Sequence, residues 1–277
     1  MTILPLIALT FFSLFERATF DLERIGRLEH PAIREASGIV QSRLHPGIFW
    51  VHNDSGNPPA LFAVRKDGSL VAEFTVAVPN IDWEDIAIDS AGHLFVGEIG
   101  NNDNRLPLRA IYQINEPDPS GPTDKPLPVT VSTYYKFPPG GRFDAESLVI
   151  DGHRALVIAK TFDDREAEVF SVPIDPPAPL FKPAIPQKVA RLPEFTEPAT
   201  GADLSADGRH LAVCSSRIAR VYEKAKGDTW TLIGQARYED RSIEAICWDG
   251  LDLILASESR SMYRIREDQW RKREPAR

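Results

Sequence analysis

The chain has 277 residues, 43% of them hydrophobic, enough to bury one large core. Its net charge of −8 provides no basic stripe, which argues against a nucleic-acid partner. The 23 prolines sit mainly between strand-like runs and argue against long helices.

The N-terminal stretch from Ile3 to Phe15 is an apolar run of about signal-peptide length, too short to span a bilayer comfortably. It lacks a basic start, and Glu16 spoils the nearest small-residue exit at Arg17-Ala18. Residues 1–19 therefore read as a signal peptide, an uncleaved anchor or an edge strand. The first two readings make the protein secreted or periplasmic, with or without attachment to a membrane through this run. No integral membrane domain is expected. Residues 20–270 read as a single domain and 271–277 as a charged, solvated tail.

From residue 34 onward one pattern recurs. A short apolar strand opens on an acidic residue, reverses at a tight turn and returns as a second strand. The first copy runs from Arg34-Glu35-Ala36 through Pro46-Gly47 to His52-Asn53-Asp54. The second runs from Asp82-Trp83-Glu84-Asp85 through Gly92 to Glu98, and the third from Asp144-Ala145-Glu146 through Gly152 to Lys160. The fourth runs from Gly201-Ala202-Asp203 through Gly208 to Cys214, and the fifth from Ser242-Ile243-Glu244 through Gly250 to Glu258. The copies lie roughly 42 to 62 residues apart, near the spacing of propeller blades. The predicted fold is all-β, a β-propeller of four-stranded antiparallel blades. The repeat count gives five blades; six is the alternative if the chain ends form an irregular one. Residues 20–29 have no copy of their own, and the fifth copy is short. The simplest closure lends that blade its outer strand from residues 20–29.

In a hairpin the first strand starts beside the end of the second. Glu84 should then lie near Glu98, Glu35 near Asn53 and Asp54, and Glu146 near Lys160. Asp203 should lie near Ser215 and Ser216, and Glu244 near Glu258. First strands line a propeller's channel, so these residues should meet at one mouth. Glu35, Glu84, Glu146 and Glu244 are read in one register, from which the fourth copy departs. Two unit charges ~7 Å apart at an effective dielectric of ~20 repel by about 2.4 kcal/mol. Either some of the carboxyls hold protons, or a cation sits among them. Oxygen-only donors suit a hard cation such as calcium. The candidate metal set is Glu35, Glu84, Asp85, Glu98, Glu146, Glu244 and Glu258. The structural alternative is that these carboxylates accept backbone N–H bonds and fasten blade to blade.

Loops at the same mouth add candidates. His52, Asn53 and Asp54 form a turn that could also contact a small-molecule ligand. So could Asn101, Asn102 and Arg105 in the oxygen-rich loop that follows Glu98. Two proline-rich segments, 116–128 and 173–186, read as stiff surface connectors. His93, His153 and His210 follow the tight turns, so they should occupy the opposite face, each on its own blade. Cys214 and Cys247 read as buried thiols, with a disulfide between neighbouring blades as the alternative. There is no Gly-x-Ser-x-Gly elbow, no phosphate-cradling glycine loop and no dinucleotide fingerprint, so any chemistry must come from the ring itself.

Four motifs carry a resemblance. His-Asn-Asp-Ser-Gly at 52–56, Asp-Trp-Glu-Asp at 82–85, Gly-Glu-Ile-Gly-Asn-Asn at 97–102 and Asp-Ala-Glu at 144–146 resemble the signatures of a family of bacterial β-propeller proteins. More distantly the chain resembles β-propeller phytases and the phytase-like, esterase-like propellers. That resemblance implies channel carboxylates holding calcium, with Glu84, Glu146 and Glu244 at acidic channel positions and Lys160 at a phosphate-contacting lysine. Asn53-Asp54 stands where those phytases place lysines, and a sixth blade is not evident. The expectation is an extracytoplasmic propeller that binds calcium and a small ligand at the channel mouth, without catalysis. The alternative is a metal-dependent hydrolase of phosphoesters, esters or lactones, with Glu146 as base and Lys160 stabilising negative charge. Lys160 as a plain ion-pair partner of Glu146 is the structural counterpart.

Overall fold

The computed structural model describes residues 19–101, 107–137, 143–239 and 241–271. The chain enters through two short strands, β1 (Thr19–Phe20) and β2 (Glu23–Arg27). Blade one follows as β3 (Ala36–Gln41), β4 (Ile48–Asn53), β5 (Ala60–Arg65) and β6 (Leu70–Thr75). Blade two is β7 (Trp83–Ile88), β8 (His93–Glu98), β9 (Arg109–Asn115) and β10 (Val131–Tyr135). Blade three is β11 (Ala145–Asp151), β12 (Arg154–Ala159), β13 (Glu168–Pro173) and β14 (Gln187–Arg191). Blade four is β15 (Gly201–Leu204), β16 (His210–Cys214), β17 (Ile218–Lys224) and β18 (Trp230–Tyr238). Blade five has β19 (Ile243–Asp249), β20 (Asp252–Ser257) and β21 (Ser261–Ile265), and ends with a one-turn helix, α1 (Glu267–Trp270).

Each sheet runs in simple antiparallel order, and β2 is the fourth strand of blade five, beside β21. The five-blade reading and the closure by residues 20–29 both hold. One feature lies outside the sequence reading: β1 adds to the outer edge of blade four, parallel to β18. The two chain ends are thus stitched into two adjacent blades.

The first strands β3, β7, β11, β15 and β19 contact one another in a closed ring. Five apolar clusters fill the five seams between blades. One of them packs Ile39, Val51 and Phe62 of blade one against Cys247, Ile254 and Met262 of blade five. No blade buries its faces alone, so closure is a condition of having a core. The turns reverse on glycine where the backbone needs it, as at Gly92 (φ 85°) and Gly152 (φ 63°). Cys214 and Cys247 are both buried free thiols.

The proline-rich connectors strap blades together. Leu127 forms a parallel bridge to Val76 at the end of blade one's outer strand, and Ala184 one to Tyr135 of β10. Arg271 bridges Gly234, and 272–277, the rest of the expected tail, lie outside the described residues. Among the described residues no helix is long and apolar enough to cross a membrane.

Candidate functional site: an acidic pocket at the channel mouth

The site arises from a defect repeated in four of the five inner strands. The ladder between first and second strand slips between Ala36 and Gly38, Trp83 and Asp85, Ala145 and Ser147, and Ile243 and Ala245. A bulge leaves its extra residue unpaired and re-aims the side chain. The extra residues are Ser37, Glu84, Glu146 and Glu244. They line one pocket of about 210 Å³, together with Glu35, Ala36, Asp54, Lys160 and Glu258.

The common register is therefore shared by Ser37, Glu84, Glu146 and Glu244, and not by Glu35. Glu35 lies before its paired strand residue, as Asp82 and Asp144 do in blades two and three. It still reaches the pocket, where it accepts a bond from Asn57 at 3.0 Å. Blade four has no bulge: Gly201 pairs directly with Cys214. A side chain at Gly201 would press on the Glu244 carbonyl oxygen at 2.9 Å, so glycine lets β15 and β19 approach here. The preceding Thr200 donates from Oγ1 to the Ile243 carbonyl at 2.9 Å.

Glu84 is the centre of the pocket. It is 3% exposed, and its Oε1 has no hydrogen-bond partner among the described residues. Asp54 and Asp82, both half-buried, converge on it: ligand oxygens of Asp54, Asp82 and Glu84 all lie within 4.8 Å of one another. Gly100 forms the wall behind them, since a Cβ there would meet Glu84 Oε1 at 2.1 Å and the Asp82 carboxyl at 2.6 Å. Burial, then the charges of Glu146, Asp54, Asp82 and Asp144, push the Glu84 carboxyl far above the usual range. Burial also raises Asp54 and Asp82. It takes Glu244 up to about 8, helped by Glu146 and Glu258.

Lys160 is the counter-charge. Its ammonium donates to Glu146 Oε1, while Glu146 Oε2 is buried without a partner among the described residues. Burial raises Glu146 and Lys160 pulls it back only in part. Burial works against the Lys160 ammonium too, but Glu146, Asp144 and Glu84 outweigh it and hold its pKa up.

Other candidates are placed elsewhere. Asp85, next to Glu84, points down the channel instead of at the mouth. It is fully buried and accepts backbone N–H bonds from Ile86 at 2.9 Å, Leu148 at 2.8 Å and Ala202 at 3.3 Å. Those donors belong to blades two, three and four. Asp203, expected beside Ser215 and Ser216, pairs with Ala212 and holds the Trp248 N–H at 2.9 Å. These two aspartates tie blade to blade. Glu98 turns away to accept N–H bonds from Ile81 at 3.1 Å and from Asp82.

In the first copy, Asp54 alone of the three turn candidates lines the pocket. His52 is fully buried edge-on to Trp83, with Nδ1 against the Asn53 carbonyl at 2.9 Å. Burial pushes its pKa down to about 4, so the ring is neutral. Asn53 is buried and fastens the loop before β3, accepting from Arg34 and Glu35 and donating to Ala32. Asn101 is buried and donates its N–H to Asp144 Oδ1 at 2.8 Å. Asn102 and Arg105 lie outside the described residues. His93 and His153 line a cavity of about 570 Å³ at the opposite mouth, which His210 does not join.

The sequence reading missed Asp82 as a site residue. Its signal was present: Asp82 and Glu84 flank Trp83, and a slip at the strand start turns both of them to the mouth while sending Asp85 inward.

No protein-family model matches this chain. No curated protein matches it either. Similar solved structures include a nidogen/laminin complex, 12% identical, with TM-score 0.47 over 86% of this chain and 83% of that one. Another is a mitotic checkpoint complex, 10% identical, with TM-score 0.43 over 85% of this chain and 61% of that one. A third is a catalytically inactive virginiamycin B lyase from Staphylococcus aureus with quinupristin, 14% identical, with TM-score 0.41 over 83% and 65%.

Proposed function

We propose that this propeller binds a hard divalent cation of the calcium class through Asp54, Asp82 and Glu84, and presents it with Lys160 to a small anionic ligand. The observation that carries this reading is Glu84 Oε1, buried and without a donor between two further carboxylates. A carboxylate stranded in that way is costly unless a proton or a cation meets it. Calcium takes oxygens at about 2.3–2.6 Å, so ligand atoms across one ion sit about 5 Å apart. Donors within 4.8 Å of one another fit one such ion. The distant resemblance to phytase-like propellers points to the same chemistry. The apolar run from Ile3 to Phe15 supports an extracytoplasmic setting, where calcium is plentiful.

The role we favour is binding or scaffolding without turnover. The Glu146–Lys160 pair favours a second reading, metal-dependent hydrolysis of a phosphoester, ester or lactone. Glu146 is a carboxyl with a raised pKa beside a cation, as a general base requires.

Thermal melts of calcium-loaded and chelator-treated protein test the reading. At 100 times its Kd, calcium should stabilise the native state by about 2.7 kcal/mol. Glu84→Gln should lose that rise and melt close to the parent without metal, because the buried Glu84 carboxyl already holds a proton there. No rise in the parent sinks the cation site. A rise with phosphoester or lactone turnover that Glu146→Gln abolishes selects the hydrolase; a rise without turnover selects the binding module.

A further inference from the structure

The pocket has a neighbour. A groove of about 520 Å³ runs along blade three, lined by Phe143, Asp144, Thr161, Phe162 and Arg165 among others, and Lys160 lines both spaces. An ammonium carries three donors. One goes to Glu146, which leaves two at the junction between pocket and groove.

The groove has aromatic walls and unmet polar atoms. Phe162 is 72% exposed, with its ring 5.6 Å from the Lys160 ammonium. Phe143 is stacked on Phe137 at 4.1 Å with 8° between planes and lies edge-on to Phe170. Asp144 is 6% exposed, and neither its Oδ2 nor the buried Oγ1 of Thr161 has a partner among the described residues. A single exposed phenylalanine is unremarkable. Here it stands over the one cation among the pocket's described residues, beside a stacked aromatic wall and two oxygens without a partner among the described residues.

We infer that this groove receives the aromatic part of the ligand: an oxyanion, phosphate or carboxylate, joined to a ring. The oxyanion bridges the bound cation and Lys160, and the ring lies between Phe162 and Phe143. This rests on the cation reading above, and deepens it by naming the ligand class. Offset or edge contacts between rings then select aromatic over aliphatic anions.

Titration calorimetry on the calcium-loaded protein tests this with four probes. Phenyl phosphate and benzoate carry the ring; methyl phosphate and acetate are their ring-free controls. The ring-bearing member of at least one pair should bind at least fivefold more tightly, and its head group reports which oxyanion the site prefers. Phe162→Ala should erase that preference while leaving the calcium-induced rise in melting point unchanged. Equal binding within both pairs, a preference that survives Phe162→Ala, or no binding of either aromatic anion overturns the inference. The melting-point rise is measured before any ligand is added, so a failed cation reading shows itself separately.

Discussion

Two sets of carboxylates share this channel, and the contrast between them separates structure from function. In the interior, Asp85 and Asp203 have the shape of binding residues and the surroundings of structural ones. Their oxygens accept backbone N–H bonds from neighbouring blades. At the mouth, Glu84 and Glu146 are almost as deeply buried, yet each keeps an oxygen without a donor among the described residues. Adjacent residues in one strand, Glu84 and Asp85, fall on opposite sides of this divide. Charge and burial alone do not distinguish them. What does is whether the protein itself supplies the donors.

The hardest test of that contrast is Asp85→Ala. It strips three backbone N–H groups on three blades of their acceptor, all in the buried interior. The expected loss is roughly 3 kcal/mol, the range for breaking a buried hydrogen-bond network. Denaturant melts should show it as a lowered midpoint at unchanged slope. Calcium should still raise the melting point of the variant. A loss below about 1 kcal/mol would mean the interior aspartate is not the tie its geometry implies.

A smaller effect appears with pH. Glu244 at the mouth is lifted from 4.5 to about 8, by burial first and then by Glu146 and Glu258. Asp203 in the interior is lifted from 3.8 to about 7, by burial. A carboxyl with a raised folded pKa holds its proton longer in the native state than in the unfolded chain. Its stabilisation is complete below the unfolded pKa and is lost as pH climbs through the folded one. Metal-free protein should therefore lose stability between about pH 4 and 8. The drop at the mouth should be on the order of 2 kcal/mol, because its open side screens the full shift. Calcium should flatten the part due to the mouth carboxyls Glu244 and Glu146 and leave the part due to Asp203. Melting points across that range, with and without the metal, would separate the two; identical slopes would erase the distinction between mouth and interior.

The contrast also marks how far the sequence could be read. Five hairpins, the outer strand borrowed from residues 20–29, and the meeting of Glu84, Glu146, Glu244 and Lys160 were legible, because period-two strands with tight turns fix which ends meet. The bulges were not. One inserted residue reverses the face of everything beyond it. Asp85 therefore moved inward, Asp82 became a site residue, and Ser37 took the register assigned to Glu35. The pairing of Thr19–Phe20 with blade four left no trace either, since two residues carry no pattern. His52 and Asn53 read as ligand contacts by their turn composition. Asn53 fastens the loop before β3, and His52 is buried with Nδ1 on the Asn53 carbonyl, away from the pocket lining; only the hydrogen bonds reveal this placement.

Blade four offers the finest test, because it builds the same joint without a bulge or a mouth carboxylate. There Thr200 replaces the acidic residue, and its hydroxyl satisfies the Ile243 carbonyl just before Glu244. Thr200→Val keeps the shape and removes that donor, at an expected cost of about 1 kcal/mol. The variant should bind calcium as the parent does, because Asp54, Asp82 and Glu84 are untouched. If instead calcium affinity fell tenfold, Thr200 would be setting the position of Glu244, and the mouth would depend on the bulge-free blade as much as on the four bulged ones.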